Sequence, residues 1–304
     1  MGRNMGSRRK AIMICVLLFQ CSHAPRPNYV FGGHVSPEKA RTISLTRGTA
    51  YSRSDSWKIT LKGKGGHGSR PEAAIDPVVM ASYAVTRLQT VVSRVVPSKE
   101  AGVLTVGEIN GGTAENIIPE SAYIKVNTRA DSDNLAEKME IALRNIIDCE
   151  VQASIPDLAF GPDMETDTDT NPNVHYESIS HLPLLKNDPA IADPLAATFR
   201  TVFGAKNFTY PVPGVSGSED FSILARSDRT KPVADIPYVY WRYGSTDEKR
   251  WDDAEGDVNR VPANHNSRFY PQLDIEDYAD PLKVGATALC AAALKGFWDK
   301  WASR

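Results

Sequence analysis

The sequence predicts a two-domain protein in which an α/β layer is interrupted by a small α+β unit of ferredoxin-like order. Three observations carry this expectation. The chain has 304 residues, room for two domains at roughly 150 residues each. Residues 52–161 read as β-α-β-β-α-β, the split unit in which two helices cover one face of an antiparallel sheet. The flanks, residues 1–51 and 162–304, alternate strand and helix patterns, as an α/β layer does.

Within the small unit, Trp57–Lys62 alternates Trp57, Ile59 and Leu61 with Lys58, Thr60 and Lys62, the period of a half-buried strand. A glycine-rich turn, Gly63–Gly68, follows. Asp76-Pro77 supplies a cap and a first-turn proline, and Val78, Ala81, Val85, Leu88, Val92 and Val95 then recur at helical spacing. Strands are predicted at Val103–Ile109 and Ala122–Thr128, around the turn Asn110-Gly111-Gly112. A second helix starts near Ser132, with Leu135, Met139, Leu143 and Ile146 on one face, and a last strand is predicted near Glu150–Ile155. Polar Asp163–Asn173 reads as an exposed connection between the domains. Beyond it, Asp188-Pro189 opens a helix through Phe203 that Gly204 stops, and Tyr238–Trp241 reads as a buried strand. Asp274–Trp301 is predicted as a closing alanine-rich helix broken near Pro281.

Composition narrows the partners. With 35 basic and 37 acidic side chains, the net charge is −2, so no basic field for nucleic acid or anionic lipid is expected. The apolar runs Ala11–Phe19 and Val284–Leu294 fall short of the roughly 18 residues of a spanning helix, so no membrane partner is expected. Cys15, Cys21, Cys149 and Cys290 follow neither a zinc spacing nor a disulfide framework. Arg8, Arg9 and Lys10 before Ala11–Phe19 outline a secretory signal, whereas the run itself equally suits a buried parallel strand.

Several motifs invite chemistry. Gly63-Lys64-Gly65-Gly66-His67-Gly68 matches GxGxxG, but Ser69-Arg70-Pro71 follows instead of a helix, and no acidic residue stands about 20 positions on. The segment is either a plain glycine turn or a mount for His67. Alternating Asp163, Glu165, Asp167, Asp169 and Asn171 resembles a calcium loop, yet Pro172 replaces the required glycine. His34 follows an apolar strand end in Phe31-Gly32-Gly33-His34-Val35, a common ligand position in α/β sheets. His265 lies in a polar stretch before the closing helix. Gly217-Ser218-Glu219-Asp220-Phe221 either caps a helix through Ser218 or presents two carboxylates. His23, His175 and His181 have no partner pattern and read as surface residues.

As a set, Phe31–Val35, Gly63–Gly68, Glu115-Asn116-Ile117-Ile118-Pro119, Gly217–Phe221 and His265 with Phe269 resemble the M20 metallopeptidase family, in particular its amidohydrolase branch of N-acyl-amino-acid and hippurate-type hydrolases. The resemblance runs from about Pro27 to the carboxyl terminus. It implies a catalytic α/β domain with an inserted ferredoxin-like lid that dimerises. It also implies two divalent metals, usually zinc, activating a water for attack on an amide. By position, His34 and His265 resemble metal ligands, and His67 resembles the lid histidine that stabilises the oxyanion, often across a dimer of lids. Asn116 and Arg129 resemble substrate-orienting residues, Arg129 suiting a carboxylate through its fork. Glu219 resembles a residue near the metal pocket. The expected partners are a small N-acyl amino acid or amide and a second copy of the chain.

Two family motifs have no counterpart. No Cys-Gly-His-Asp segment is present, and Leu18-Phe19-Gln20 runs into Cys21-Ser22-His23 instead of Pro-Ala-Glu-Glu. The catalytic domain is therefore expected to be truncated, its metal site incomplete and its activity impaired. The alternative expectation is a non-catalytic dimerisation or ligand-binding protein built on the lid. The family strand at Ile12–Gln20 favours a cytoplasmic chain over a secreted one.

Overall fold

The structure is a computed structural model that describes residues 27–155, 173–226, 234–269 and 279–302. The expected strand at Ile12–Gln20, Cys15, Cys21, His23 and the acidic alternation from Asp163 to Asn171 lie outside these residues. In chain order the strands and helices are β1 (Val30–Lys39), β2 (Ile43–Leu45), β3 (Gly48–Tyr51), β4 (Arg53–Lys62), β5 (Gly66–His67), α1 (Pro77–Thr90), β6 (Gly102–Gly111), β7 (Ile117–Ile118), β8 (Ser121–Ala130) and α2 (Asp133–Ser154). There follow β9 (Val174–Leu182), β10 (Leu185–Asn187), α3 (Pro189–Phe203), β11 (Phe208–Thr209), β12 (Tyr238–Thr246), α4 (Glu248–Asp253) and α5 (Ala279–Ala302). They form two compact units. The first takes the described residues up to Ala50, Leu185–Val215 and those from Glu219 onward; the second takes Tyr51–Leu184 and Ser216–Ser218.

The second unit is a four-stranded antiparallel sheet in the order β6-β8-β4-β9, with α1 and α2 packed on it. Asp76 caps α1 by accepting from the backbone N–H of Val78 and Val79, and Pro77 takes the first helical position. Ser132 caps α2 by accepting from the N–H of Leu135. Leu135, Met139, Leu143, Ile147 and Val151 of α2 are all buried, at steps of four residues, against Ile59, Leu61, Ile124, Met80 and Leu88. Each such side chain contributes roughly 1.5–3 kcal/mol by leaving water.

Two sequence readings need correction here. The strand expected near Glu150–Ile155 is helix: the apolar stripe of α2 continues through Ile147 and Val151, so the helix runs on to Ser154. The fourth strand is β9, which pairs with β4 from Ser54↔Leu182 to Leu61↔Val174. The acidic segment thus joins α2 to β9, two elements of one unit, and that unit reaches Leu184, beyond the expected limit at Gly161.

The first unit is built on a mixed sheet in the order β1-β12-β2-β11. β1 runs parallel to β12, β12 antiparallel to β2, and β2 parallel to β11, while β10 pairs with β3. Asp188 caps α3, and Gly204 stops it with a φ of 78°. Leu195 and Phe199 of α3, with Ala288 and Ala292 of α5, pack on Phe31, Ile43, Leu45, Val239 and Trp241 of the sheet. Among the described residues α5 runs unbroken from Ala279, with Pro281 in its first turn, where its missing N–H has no partner to lose; the start of the expected helix at Asp274 lies outside them.

Candidate active site

His34 is positioned by the two glycines before it. A Cβ on Gly32 would stand 2.4 Å from the Phe221 ring, and one on Gly33 would stand 2.5 Å from Nε1 of Trp241. Only glycines let β1 lie this close to both aromatics, and Gly33 and Trp241 are register partners across the β1–β12 pair. His34 Nδ1 lies 2.5 Å from the carbonyl of Val35, so Nδ1 is the donor and the lone pair of the neutral ring is on Nε2. The side-chain N–H of Asn264 also donates to that carbonyl, at 3.0 Å.

Nε2 of His34 faces Oε2 of Glu219 at 3.9 Å, with the two side chains 37% and 17% exposed. Glu219 is held in place: the Tyr240 hydroxyl donates to Oε2 at 2.9 Å, and the N–H of Asp220 donates to Oε1 at 3.0 Å. Ser218 does not cap the short helix Phe221–Ala225, whose N-cap is Asp220 without a side-chain bond. His265 is exposed and adopts left-handed backbone, φ 67°. Among the described residues no three His, Cys, Asp or Glu side chains converge as a metal would require. A bare Nε2 and a carboxylate suit a divalent cation as donors, but two donors fall short of the three protein ligands of an open catalytic zinc site. Among the described residues the structure therefore pairs His34 with Glu219 and leaves His265 outside any such group.

In the second unit, His67 sits on β5 opposite Ile117 of β7. The backbone N–H of Ser69 donates to Nδ1 at 3.1 Å, and the Ser69 hydroxyl lies 2.8 Å from the same atom. An accepting Nδ1 assigns the ring proton to Nε2. Gly68 donates its N–H to the Asn116 carbonyl at 2.8 Å, so the β5–β7 pair brings His67 and Asn116 together. Beside them is a cavity of about 560 Å³ lined by Gly68, Asp76, Gly112, Glu115, Asn116 and Pro119, among others.

Arg129 stands at the far end of β8, opposite Ser54 of β4, whereas β7 adjoins the Ser121 end. At roughly 3.4 Å per strand residue, Arg129 is about 25 Å along β8 from the Ser121 end, beyond which the separate β5–β7 pair carries His67. Its Nη1 donates to the Ser216 carbonyl at 3.0 Å and to the Ser218 hydroxyl at 2.9 Å.

His181 is not a partnerless surface residue. Its Nδ1 meets the buried carboxylate of Asp55, which also accepts from Arg53 Nε at 2.8 Å. Tyr240 and Asn264 also escape sequence reasoning. Tyr240 is hidden in a run of buried strand residues, and Asn264 is signalled only by adjacency to His265. On the open sheet face, hydrogen bonds from Lys125 and Tyr123 hold the Glu108 carboxyl below its ordinary range, and the same contact raises Lys125.

Residues 52–152 match the peptidase dimerisation domain of M20 proteins. The N-acetyldiaminopimelate deacetylase of Streptococcus suis is 35% identical over 199 residues, 65% of this chain and 48% of the relative. The hippurate hydrolase of Campylobacter jejuni is 32% identical over 198 residues, again 65% of this chain and 48% of the relative. The chain spans about half the length of these curated relatives. The structure of Bacillus subtilis YXEP, described as a dinuclear metal binding peptidase from the M20 family, matches with a TM-score of 0.57 at 16% identity. That match covers 89% of this chain and 58% of the other, and shows a shared fold. No helix among the described residues is long and apolar enough to cross a membrane.

Proposed function

Because this chain belongs to the M20 metallopeptidase family, we propose that it hydrolyses the amide bond of N-acyl amino acids or related small amides, at a rate held low by an incomplete donor set. The observation that carries the reading is the bare Nε2 of His34 facing a Glu219 carboxylate that Tyr240 and Asp220 hold still. Glu219 orients the attacking water beside His34. His67, with its proton on Nε2, donates to the oxyanion that forms at the amide carbonyl. Asn116 orients the acyl group, and the planar fork of Arg129 receives the substrate carboxylate.

One substrate cannot span the roughly 25 Å of β8 that separates Arg129 from the end adjoining the β5–β7 pair, where His67 and Asn116 lie. This separation supports a homodimer through the ferredoxin-like lid, in which one copy offers His67 and Asn116 and the other Arg129. Zinc or another divalent ion is the cofactor this reading implies; His34 and Glu219 would contribute to holding it, and it would lower the pKa of a bound water.

The test is hydrolysis of hippurate and N-acetyl amino acids by the full chain, with and without added zinc or manganese. Turnover is expected about 10²–10⁴-fold below that of an ordinary enzyme, as for loss of general acid–base assistance. His67→Ala is expected to lower it by a further factor of about 10². Stoichiometric binding of two zinc ions with ordinary turnover overturns the impairment. Turnover that Glu219→Gln and His67→Ala leave unchanged overturns the hydrolase reading itself and favours a non-catalytic dimerisation protein.

A further inference from the structure

We propose that Asn187 is a positioning residue of the candidate site, holding Glu219 beside His34 through Tyr240. Asn187 ends β10 and is fully buried. β2 pairs with β12 at Trp241, Arg242 and Tyr243, and its ladder stops one residue short of Tyr240. The Asn187 side chain takes the place of the missing strand residue. Its Oδ1 accepts from the Tyr240 N–H at 2.7 Å, and its Nδ2 donates to the Tyr240 carbonyl at 2.9 Å and to the Thr46 carbonyl at 2.8 Å.

A carboxamide is the side chain this place requires. It offers an acceptor oxygen and two donor hydrogens, and here it meets one N–H and two carbonyl oxygens. A carboxylate would face both carbonyls with no hydrogen to give, and an apolar side chain would withdraw the partner from all three backbone groups. The residues on either side follow the same stretch of β12. The Lys186 N–H donates to the Tyr238 hydroxyl at 2.8 Å, and the Asp188 N–H to the Tyr238 carbonyl at 3.3 Å. The bonds from Asn187 fix the backbone at Tyr240 itself.

From that fixed point the Tyr240 side chain reaches the site. Its ring centroid lies 4.5 Å from that of Phe221, and its hydroxyl donates to the Glu219 oxygen that stands 3.9 Å from His34 Nε2. A displaced Tyr240 backbone carries the hydroxyl with it, leaving the Asp220 N–H to hold Glu219 at its other oxygen. The consequence for turnover rests on the amidohydrolase reading; the positioning of Glu219 does not.

The experiment is nitrogen NMR of the histidine rings in the full chain with a chelator present, the His34 signals being identified by their loss in His34→Gln. Tyr240→Phe is expected to shift the Nε2 resonance of His34, because Glu219 loses its hydroxyl donor. Asn187→Ala is expected to shift it in the same direction, and the double variant no further than Tyr240→Phe alone. Leu195→Ala, buried in the core of the same unit, is expected to lower stability and leave the resonance in place. If circular dichroism shows Asn187→Ala to be unfolded, Asn187→Ser supplies the comparison; if neither folds, Asn187 serves the fold alone and the proposal is overturned. It is also overturned by an unmoved His34 signal, by a double variant shifted by the sum of the singles, or by an equal shift in Leu195→Ala. In hippurate hydrolysis, Asn187→Ala is expected to lower kcat about tenfold with KM unchanged, the effect of losing one hydrogen bond to a charged group. A chain that hydrolyses nothing yet shows the shared shift refutes the amidohydrolase reading alone. Hydrolysis with an unmoved His34 signal refutes the positioning alone.

Discussion

The two units hold their candidate residues by different means. In the second unit, strand register does the work: Arg129 is paired with Ser54 in a ladder that lies on a buried core under two capped helices, and His67 is paired with Ile117 in a separate two-stranded ladder. In the first unit, His34 lies on β1, but Glu219 and Asn264 beside it, and Tyr240 that holds Glu219, arrive from a loop, another loop and a neighbouring strand. Their positions depend on close contacts at two glycines rather than on ladder geometry. Residues fixed by a sheet tolerate change around them as long as the core survives. Residues gathered from loops depend on single contacts.

The largest test of that contrast is a core truncation. Ile124 is fully buried at the centre of β8, and Ile124→Ala is expected to cost about 3 kcal/mol, read by urea denaturation of the second unit. Next comes Gly33→Ala, expected to cost about 2 kcal/mol through overpacking against Trp241 and to alter tryptophan fluorescence. Gly107→Ala on β6 is its control, because a Cβ there meets open space and stability should be unchanged or slightly raised. If Gly33→Ala is equally silent, the contact-dependence of the first unit is wrong. Asp76→Ala removes the α1 cap and is expected to cost about 1 kcal/mol.

The smallest effect concerns Glu108. Its carboxyl is held low by Lys125 and Tyr123, so the folded state binds its proton less readily than the unfolded state does. Its contribution is therefore present above the ordinary carboxylate value and fades as pH falls through the lower folded value. The melting temperatures of the parent and Glu108→Gln should differ at pH 7 and converge on acidification below about pH 4. A gap that widens on acidification reverses the sign and refutes this account.

Much of the fold was legible because the residues state it locally. Asp76-Pro77, Ser132 and Asp188-Pro189 are caps, and all three helices start where they say. β9 was missed because only its amino-terminal end packs on the core, through Val174 and Tyr176, while Glu177, Ser178, Ile179, Ser180 and His181 are exposed. An alternation that fades after three residues resembles a loop. The end of α2 was misread because Val151 and Ile155 suit a strand as well as a helix face, and only packing against β4 and β9 decides between them. At the candidate site, histidines announce themselves by type, but Tyr240 and Asn264 matter through where their polar atoms point, which composition does not encode.

Arg129 has neutral companions, a peptide oxygen and a serine hydroxyl. These acceptors keep a long side chain in one pose without cancelling its charge. A carboxylate arriving there would meet a cation already aimed and unspent, and would have to displace only weak neutral bonds. Much of the rotameric freedom that capturing an anion normally costs, up to about 2 kcal/mol for an arginine, has been surrendered during folding. The guanidinium is a docked instrument rather than a searching arm, and its readiness was secured by residues that carry no charge of their own.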